Sequence, residues 1–272
     1  MNMMEILLPL LGFLIGTVAS MVGVGGGVFI VPLLTLVYGF SPSHAVGTSL
    51  TTIIFTSLAS TANYSRQKRI YYKTGIILAI TTVPGAVLGA HITSVIDEQL
   101  LGLIFGCFLF FVALRMILKL SFSKNKHSDT EKNNPVDSES SLFESKKRVL
   151  SGVVVGFFGG LSSGLLGIGG GSLMVPIMVL AMGMPMHITV ATSMFTMIFT
   201  STCGVVEHFR LDHINFEYAF LLVLGTIFGA QLGAYASKRI SGRTLCRIFG
   251  LVLIIVSIRR GFLISFFADL AV

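Results

Sequence analysis

From Ile6 to Ser65 the chain carries no Asp, Glu, Lys or Arg, and the same is true from Val149 to Val206. Shorter charge-free runs cover Thr74–Ile96, Gln99–Leu114, Tyr218–Ser237 and Ile248–Ile258. A bilayer core of ~30 Å takes about 20 apolar residues of helix. Backbone polar groups cannot stay unpaired in hydrocarbon, so such runs must be helices, or loops sheltered by protein. A membrane barrel would alternate polar and apolar residues, which Leu251–Val256 does not. Only 11% of residues are charged and 53% are apolar, against about 25% charged in soluble domains. A soluble enzyme of this length could not hide that surface. The net charge of +7 is explained by basic residues grouped in loops, which orient membrane proteins, and no nucleic-acid partner is expected. Cys107, Cys203 and Cys246 lie apart in apolar runs, so neither a disulfide framework nor a metal cluster is expected. The first apolar stretch has Glu5 in place of a basic leader, so it reads as mature structure and not as a signal peptide.

Displaced by 144 residues, the chain aligns with itself without a gap. Gly23-Val-Gly-Gly-Gly27, followed by Val31-Pro32, falls on Gly167-Ile-Gly-Gly-Gly171, followed by Val175-Pro176. Thr48-Ser49 falls on Thr192-Ser193, Ile54–Ser57 on Ile198–Ser201, and Leu88–Ala90 on Leu232–Ala234. Shared membrane composition would not hold one register over such a length, so the reading is a duplication. Residues 1–118 form a first transmembrane repeat and 149–272 a second. The polar stretch 119–148, rich in Ser, Asn, Lys, Asp and Glu, is a solvated linker.

Each copy parses alike: a long apolar segment broken by glycines (Ile6–Tyr38; Val149–Met182), then three spans. These are His44–Tyr64, Thr74–Ile96 and Leu100–Leu118 in the first copy, and Ile188–Val206, Tyr218–Ser237 and Leu245–Arg260 in the second. Pro42 and Pro185 mark the turns before the second segments. Arg66, Lys68, Arg69 and Lys73 share one loop, and a further basic cluster is Lys238, Arg239, Arg243 and Arg247. Placing these and the linker in the cytoplasm inverts the second copy relative to the first. A parallel arrangement satisfies the charge rule almost as well. Inversion is preferred because alternating-access transporters commonly use it. The fold class expected is therefore an all-α polytopic membrane protein of two repeats, each with a re-entrant or paired short helix plus three spans.

A single helix over Ile6–Tyr38 would overrun the bilayer core. Three consecutive glycines cost about 3 kcal/mol of helix propensity relative to alanine, so a break is expected at Gly23–Gly27, followed by a short helix Val28–Tyr38. Its start offers unpaired N–H groups and a dipole end of about +0.5 charge, which attract anions. Glycine leaves those groups uncovered. Two inverted tips would face one cavity near the midplane, an anion site made without a buried Lys or Arg. The competing role for glycine is close helix packing, favoured for Gly12, Gly16, Gly85 and Gly89.

Hydroxyls are the other polar groups within the spans. Thr48, Thr52 and Thr56 share one helical face, and their counterparts are Thr192, Thr196 and Thr200. They either bond their own i−4 carbonyls or line the path. The candidate substrate-binding set is Gly25, Gly26, Gly27, Thr48, Ser49, Thr52, Gly169, Gly170, Gly171, Thr192, Ser193 and Thr196. Asn63 and Glu207 occupy equivalent span ends, where capping or an interfacial role is expected. No carboxylate lies mid-span, which disfavours cation transport and leaves a proton to histidine, to Glu207 or to no fixed carrier. His44, His91 and His187 read as isolated, and His208 and His213 as members of a polar loop with Arg210 and Asp212. Nothing matches a metal-site spacing, and no cofactor is implied.

The repeated pattern, G-x-G-G-G, then Val-Pro, then Ala45-Val-Gly-Thr-Ser49 in one copy and Ala191-Thr-Ser193 in the other, resembles the TauE/SafE family of sulfite and organosulfonate exporters. The resemblance spans both copies. It implies a bacterial inner-membrane protein of about eight spans that moves small sulfur-containing anions. The reading is a secondary transporter of a small anion such as sulfite, a sulfonate or a related sulfur oxyanion, working by alternating access in the lipid bilayer. The alternative is an anion channel of the same architecture. An enzyme is not expected, since no nucleophile–base pair or metal set is evident. The oligomeric state is left open.

Overall fold

The computed structural model describes residues 7–93, 95, 146–180 and 182–240. The expected spans Leu100–Leu118 and Leu245–Arg260, Cys107, Cys246 and most of the linker lie outside them. Among the described residues there are eight helices: α1 Leu8–Val22, α2 Gly27–Leu36, α3 Pro42–Arg66, α4 Tyr72–Ile92, α5 Lys146–Leu166, α6 Gly171–Leu180, α7 Met186–Arg210 and α8 Phe216–Ala236. The starts of α2, α3 and α4 recur 144 residues later as those of α6, α7 and α8 (27 and 171, 42 and 186, 72 and 216). α5 begins at Lys146, inside the stretch read as linker. Helices α3, α4, α7 and α8 are long and apolar enough to cross a membrane.

The long helices begin where the sequence stops them from beginning earlier. Pro42 occupies the first turn of α3, where a missing N–H costs nothing, and Ser41 caps it by accepting from the amide of His44. Pro185 is the residue before α7. Asn215 caps α8 by accepting from the amide of Tyr218 at 3.3 Å.

Large apolar side chains face outward: Ile80 is 67% exposed and Phe228 69%. The hydroxyls of Thr48, Ser49, Thr52, Thr56, Thr192, Ser193 and Thr196 are buried. In water this distribution would waste about 1.5–3 kcal/mol per exposed large apolar side chain; in lipid it wastes nothing. The exposed apolar belt and the four apolar spans are those of an integral, multi-pass helical membrane protein.

Almost all the close helix packing joins one half of the chain to the other. α1 packs on α8, α4 on α5, α3 on α7 and α8, and α7 on α4. Glycine permits two of these contacts. Along α1 and α8, Gly12 faces the backbone of Leu222, Gly16 that of Thr226, Gly225 that of Pro9, and Gly229 that of Phe13. Along α4 and α5, Gly85 lies against Phe157 and Leu161, Gly89 against Leu161 and Leu165, Gly160 against Thr82, and Gly164 against Ala86 and Ala90. Residue numbers rise together in both pairs, so both are parallel. Small residues at four-residue spacing let the backbones touch, the packing role read for Gly12, Gly16, Gly85 and Gly89. The central pair runs the other way. Gly47 of α3 abuts His208 of α7, and Leu50 abuts Gly204, so α3 and α7 are antiparallel.

Replacing Gly160 with Leu will drive a side chain into the carbonyl of Thr82. The loss of monodisperse protein on size exclusion, or a melting shift of more than about 3 kcal/mol, is expected. Gly39→Ala, at a loop glycine with open space around it, will cost only the left-handed backbone strain of about 1–2 kcal/mol.

Candidate functional site

α1 stops at Gly23, which turns left-handed (φ 86°), while the amide of Val24 closes back on the Ala19 carbonyl at 3.0 Å. Gly26, also left-handed (φ 107°), precedes α2, and Gly170 (φ 78°) holds the same place before α6. The two breaks cross at the centre of the bundle. A Cβ at Gly27 would overlap the carbonyl of Gly167 and lie 2.6 Å from Ile168 Cα; one at Gly171 would lie 2.5 Å from the Gly23 carbonyl. The glycines thus divide by task. Gly27 and Gly171 let one backbone pass over the other. Gly26 and Gly170 have room for a Cβ but hold a backbone shape that disfavours one.

Two serines bolt the crossing together. Ser49 Oγ on α3 donates to Gly167 O at 2.9 Å, and Ser193 Oγ on α7 donates to Gly23 O at 3.0 Å. Each hydroxyl reaches from its own half to the first glycine of the other. The neighbouring threonines do the same for helix starts: Thr48 Oγ1 accepts from the amide of Asn215 at 3.0 Å, and Thr192 Oγ1 from that of Tyr71 at 3.1 Å. Thr52 and Thr196 donate back to the carbonyls of Thr48 and Thr192 at 3.1 and 3.0 Å, and Thr196 also reaches Gly75 O at 3.4 Å. The structure therefore brings the six glycines together with Ser49 and Ser193 at one junction, while Thr48 and Thr192 bond helix starts of the opposite half and Thr52 and Thr196 bond back within their own helices. It commits the four hydroxyls at positions 48, 49, 192 and 193 to holding the halves together.

The amides of Gly25, Gly26, Gly27, Gly169, Gly170 and Gly171 have no hydrogen-bond acceptor among the described residues. The N-terminal ends of α2 and α6 thus meet with their donors uncommitted, two positive dipole ends at one place. Two further groups were not singled out for the site by spacing. Ser163 Oγ and Ser201 Oγ are fully buried with no hydrogen-bond partner, and they lie 3.9 and 3.3 Å from where Cβ atoms of Gly170 and Gly169 would stand. The signal that could have found Ser163 is the broken symmetry of the repeat, since its counterpart is Ala19. Ile53 and Met197, themselves counterparts, wall the junction with apolar surface against Gly25, Gly27, Gly169 and Gly171. No residue of this cluster carries a charge.

The span ends differ from one another. Asn63 donates to the carbonyl and side chain of Gln231 at 3.1 and 3.3 Å, joining α3 to α8. Its counterpart Glu207 pairs with His91 at 3.3 Å and Arg210 at 3.5 Å, joining α7 to α4. Three of the histidine readings change: His208 lies in the last turn of α7, fully buried, His44 is not isolated, since its ring stands 5.5 Å from that of His213, and His91 is not isolated, since it pairs with Glu207.

Glycine-broken helices meeting inside a bundle of spans, with hydroxyls and free amides at the junction, define a class: membrane proteins that handle a small polar solute in their interior. The family described as Sulfite exporter TauE/SafE matches residues 8–260, and the chain belongs to it. A "Probable membrane transporter protein YunE" of Bacillus subtilis is 36% identical over 259 residues, covering 92% of this chain and 95% of that protein. "Probable membrane transporter protein MJ0441" of Methanocaldococcus jannaschii is 29% identical, covering 88% and 90%. "Sulfite exporter TauE/SafE family protein 3" of Arabidopsis thaliana is 36% identical over 85 residues, 31% of this chain and 18% of that one. No solved structure matches.

Thr48→Val will leave the Asn215 amide without its acceptor and lower stability by about 1–3 kcal/mol. Thr52→Val removes only a bond within its own helix and will cost less than about 1 kcal/mol. Melting of the purified variants in one detergent distinguishes the two.

Proposed function

We propose that the chain is a secondary transporter of a small anion, a sulfur oxyanion such as sulfite or a sulfonate, and that the anion sits at the crossing of the two glycine breaks. The observation that carries this reading is the junction of two helix starts whose amides are uncommitted, flanked by the buried, unpartnered hydroxyls of Ser163 and Ser201. Leaving such donors unpaired in a dry bundle costs about 1–3 kcal/mol each, a cost that an oxyanion accepting from several of them would offset. The family name supports a sulfur oxyanion. The absence of charge at the junction favours a solute that must also leave.

Alternating access is the cycle we infer, and the packing supports it. The two halves are inverted repeats of one unit, a reading supported by the antiparallel run of the equivalent helices α3 and α7 and by the matching helix starts. In this arrangement the loop from Arg66 to Lys73, the linker 119–148 and the end of α8 share the cytoplasmic side of a bacterial inner membrane. Each first segment, α1 with α2 or α5 with α6, enters and returns on one side as a re-entrant pair. Both breaks are buried along their whole length, as an occluded state would require. Rocking one half against the other would open Gly25–Gly27 and Gly169–Gly171 to either side in turn. In this cycle Ser49, Ser193, Thr48 and Thr192 hold the breaks in place, while Thr52 and Thr196 stand behind them.

The test is counterflow of radiolabelled sulfite and methanesulfonate in proteoliposomes holding the full chain. Saturable uptake stimulated by internal anion is expected. Ser163→Ala and Ser201→Ala should lower it about tenfold, while leaving melting unchanged or raised, because deleting a partnerless buried hydroxyl removes a cost. Unitary currents, or uptake indifferent to both substitutions, would overturn the reading.

A further inference from the structure

Three imidazoles lie together at one end of the spans, two from the second half and one from the first. His208 is fully buried at the end of α7. Its Nε2 lies 3.2 Å from the Gly164 carbonyl of α5, so Nε2 bears the proton and donates. Its Nδ1 is buried and has no hydrogen-bond partner. The ring of His213 stands 5.6 Å away, and that of His44, at the exposed start of α3, 5.5 Å beyond. The three imidazoles form a series from solvent to the bundle interior. His213 Nδ1 is likewise buried and unpartnered.

At the equivalent positions, 144 residues away, none of the three is an imidazole. His208 corresponds to Tyr64, His213 to Arg69 and His44 to Ile188. Tyr64 makes the same contact as His208: its hydroxyl donates to the carbonyl of Ser20 at 2.8 Å, and Ser20 is the counterpart of Gly164. Both contacts sit three residues before a glycine break, at Gly23 and Gly167. The bundle thus has one latch that can change charge and one that cannot, at opposite ends of the spans. The polar junction lies on the titratable side of the chain as well, since Ser163 adjoins Gly164 in sequence.

We propose that His208, fed through His44 and His213, is a proton-binding site that couples anion movement to proton movement from the membrane face opposite the Arg66–Lys73 loop. The inference rests on the transport reading above and names its coupling ion. The step is a protonation alone. A hydronium ion gives up its proton by way of His44 and His213: its O–H bond breaks to leave water, an N–H bond forms at the Nδ1 lone pair of His208, and Nε2 keeps its own proton. The loaded ring is an imidazolium with a donor on Nδ1 and no acceptor there, which changes the α5–α7 contact one turn before the second break. The ionisable groups around the site are His44 from α3, His91 from α4, Glu207 and Arg210 from α7, and Asp212 and His213 from the following loop. From the described part of α5 it meets only the Gly164 carbonyl. Burial, then the nearby His44, push His213 below the usual imidazole range, with Asp212 opposing. The proposed site would take up its proton as the pH on that face falls.

The experiment imposes a pH gradient on proteoliposomes of the full chain and follows uptake of methanesulfonate, which stays ionised throughout and carries no titrating proton itself. Acid on the histidine side should accelerate wild-type uptake about tenfold. His208→Tyr, which installs the residue the other half uses, should abolish the acceleration in protein that remains monodisperse; His208→Gln serves if Tyr does not fold. Wild-type uptake indifferent to the gradient, or an acceleration that survives both substitutions, overturns the coupling while leaving transport standing. Should wild type move no methanesulfonate at all, the transport reading fails instead, and histidine nitrogen NMR of the wild type and His208→Tyr in nanodiscs decides the site itself. The midpoint of His213 shifts on substitution if the rings share a proton, and an unmoved midpoint overturns the series.

Discussion

Two backbones pass over one another at the centre of this protein with no side chain between them, at Gly27 over Gly167 and at Gly171 against Gly23. Any residue but glycine at positions 27 or 171 would have to push the halves apart. The crossing brings two helix starts together in the interior, an arrangement that ordinary packing would avoid, since like dipole ends repel and unpaired amides are costly. Because the strongest helix contacts run between halves, neither half buries its apolar faces by itself. The crossing, the serine bolts at Ser49 and Ser193 and the glycine seams along α1–α8 and α4–α5 are one device that joins the halves and leaves their breaks at the shared axis.

Much of this was legible because a bilayer removes options. Charge-free runs must become helices, and α3, α4, α7 and α8 start two residues before the spans read from composition. The glycine breaks could be placed because propensity, length and depth all forbid one straight helix there. What composition could not supply is which half each side chain would touch. Thr48 reads equally well as a pore hydroxyl or a back-bonding one. Its oxygen accepts from an amide of the opposite half, a contact that neither reading contains, and no periodicity within α3 reports a partner far along the chain. The histidines failed for the same reason. His44 and His213 are distant in sequence, and only the interlocking of the halves sets their rings side by side.

The 144-residue self-alignment of the chain offers its own control. Where both copies keep a group, as with Ser49 and Ser193, the shared geometry of the crossing accounts for it. Where they differ, the difference has to serve something that symmetry does not. Asn63 faces Glu207, Tyr64 faces His208 and Ala19 faces Ser163, and in each pair the second half holds the more reactive member.

The choice of imidazole also follows from the sign of the solute. A mid-span carboxylate, the usual proton carrier, is negative when empty and neutral when loaded. It would repel an approaching anion for half the cycle. An imidazole is neutral when empty and positive when loaded, so taking up the proton strengthens the hold on the anion, and losing it weakens that hold. In the proposed cycle this coupling would have the sign that co-movement requires, and it would work through the wall of the bundle without placing a fixed charge at the junction. The uncharged crossing, the lack of any mid-span Asp or Glu, and the tilted rings of His44, His213 and His208 at one end would then be a single electrostatic solution for carrying a negative solute through hydrocarbon.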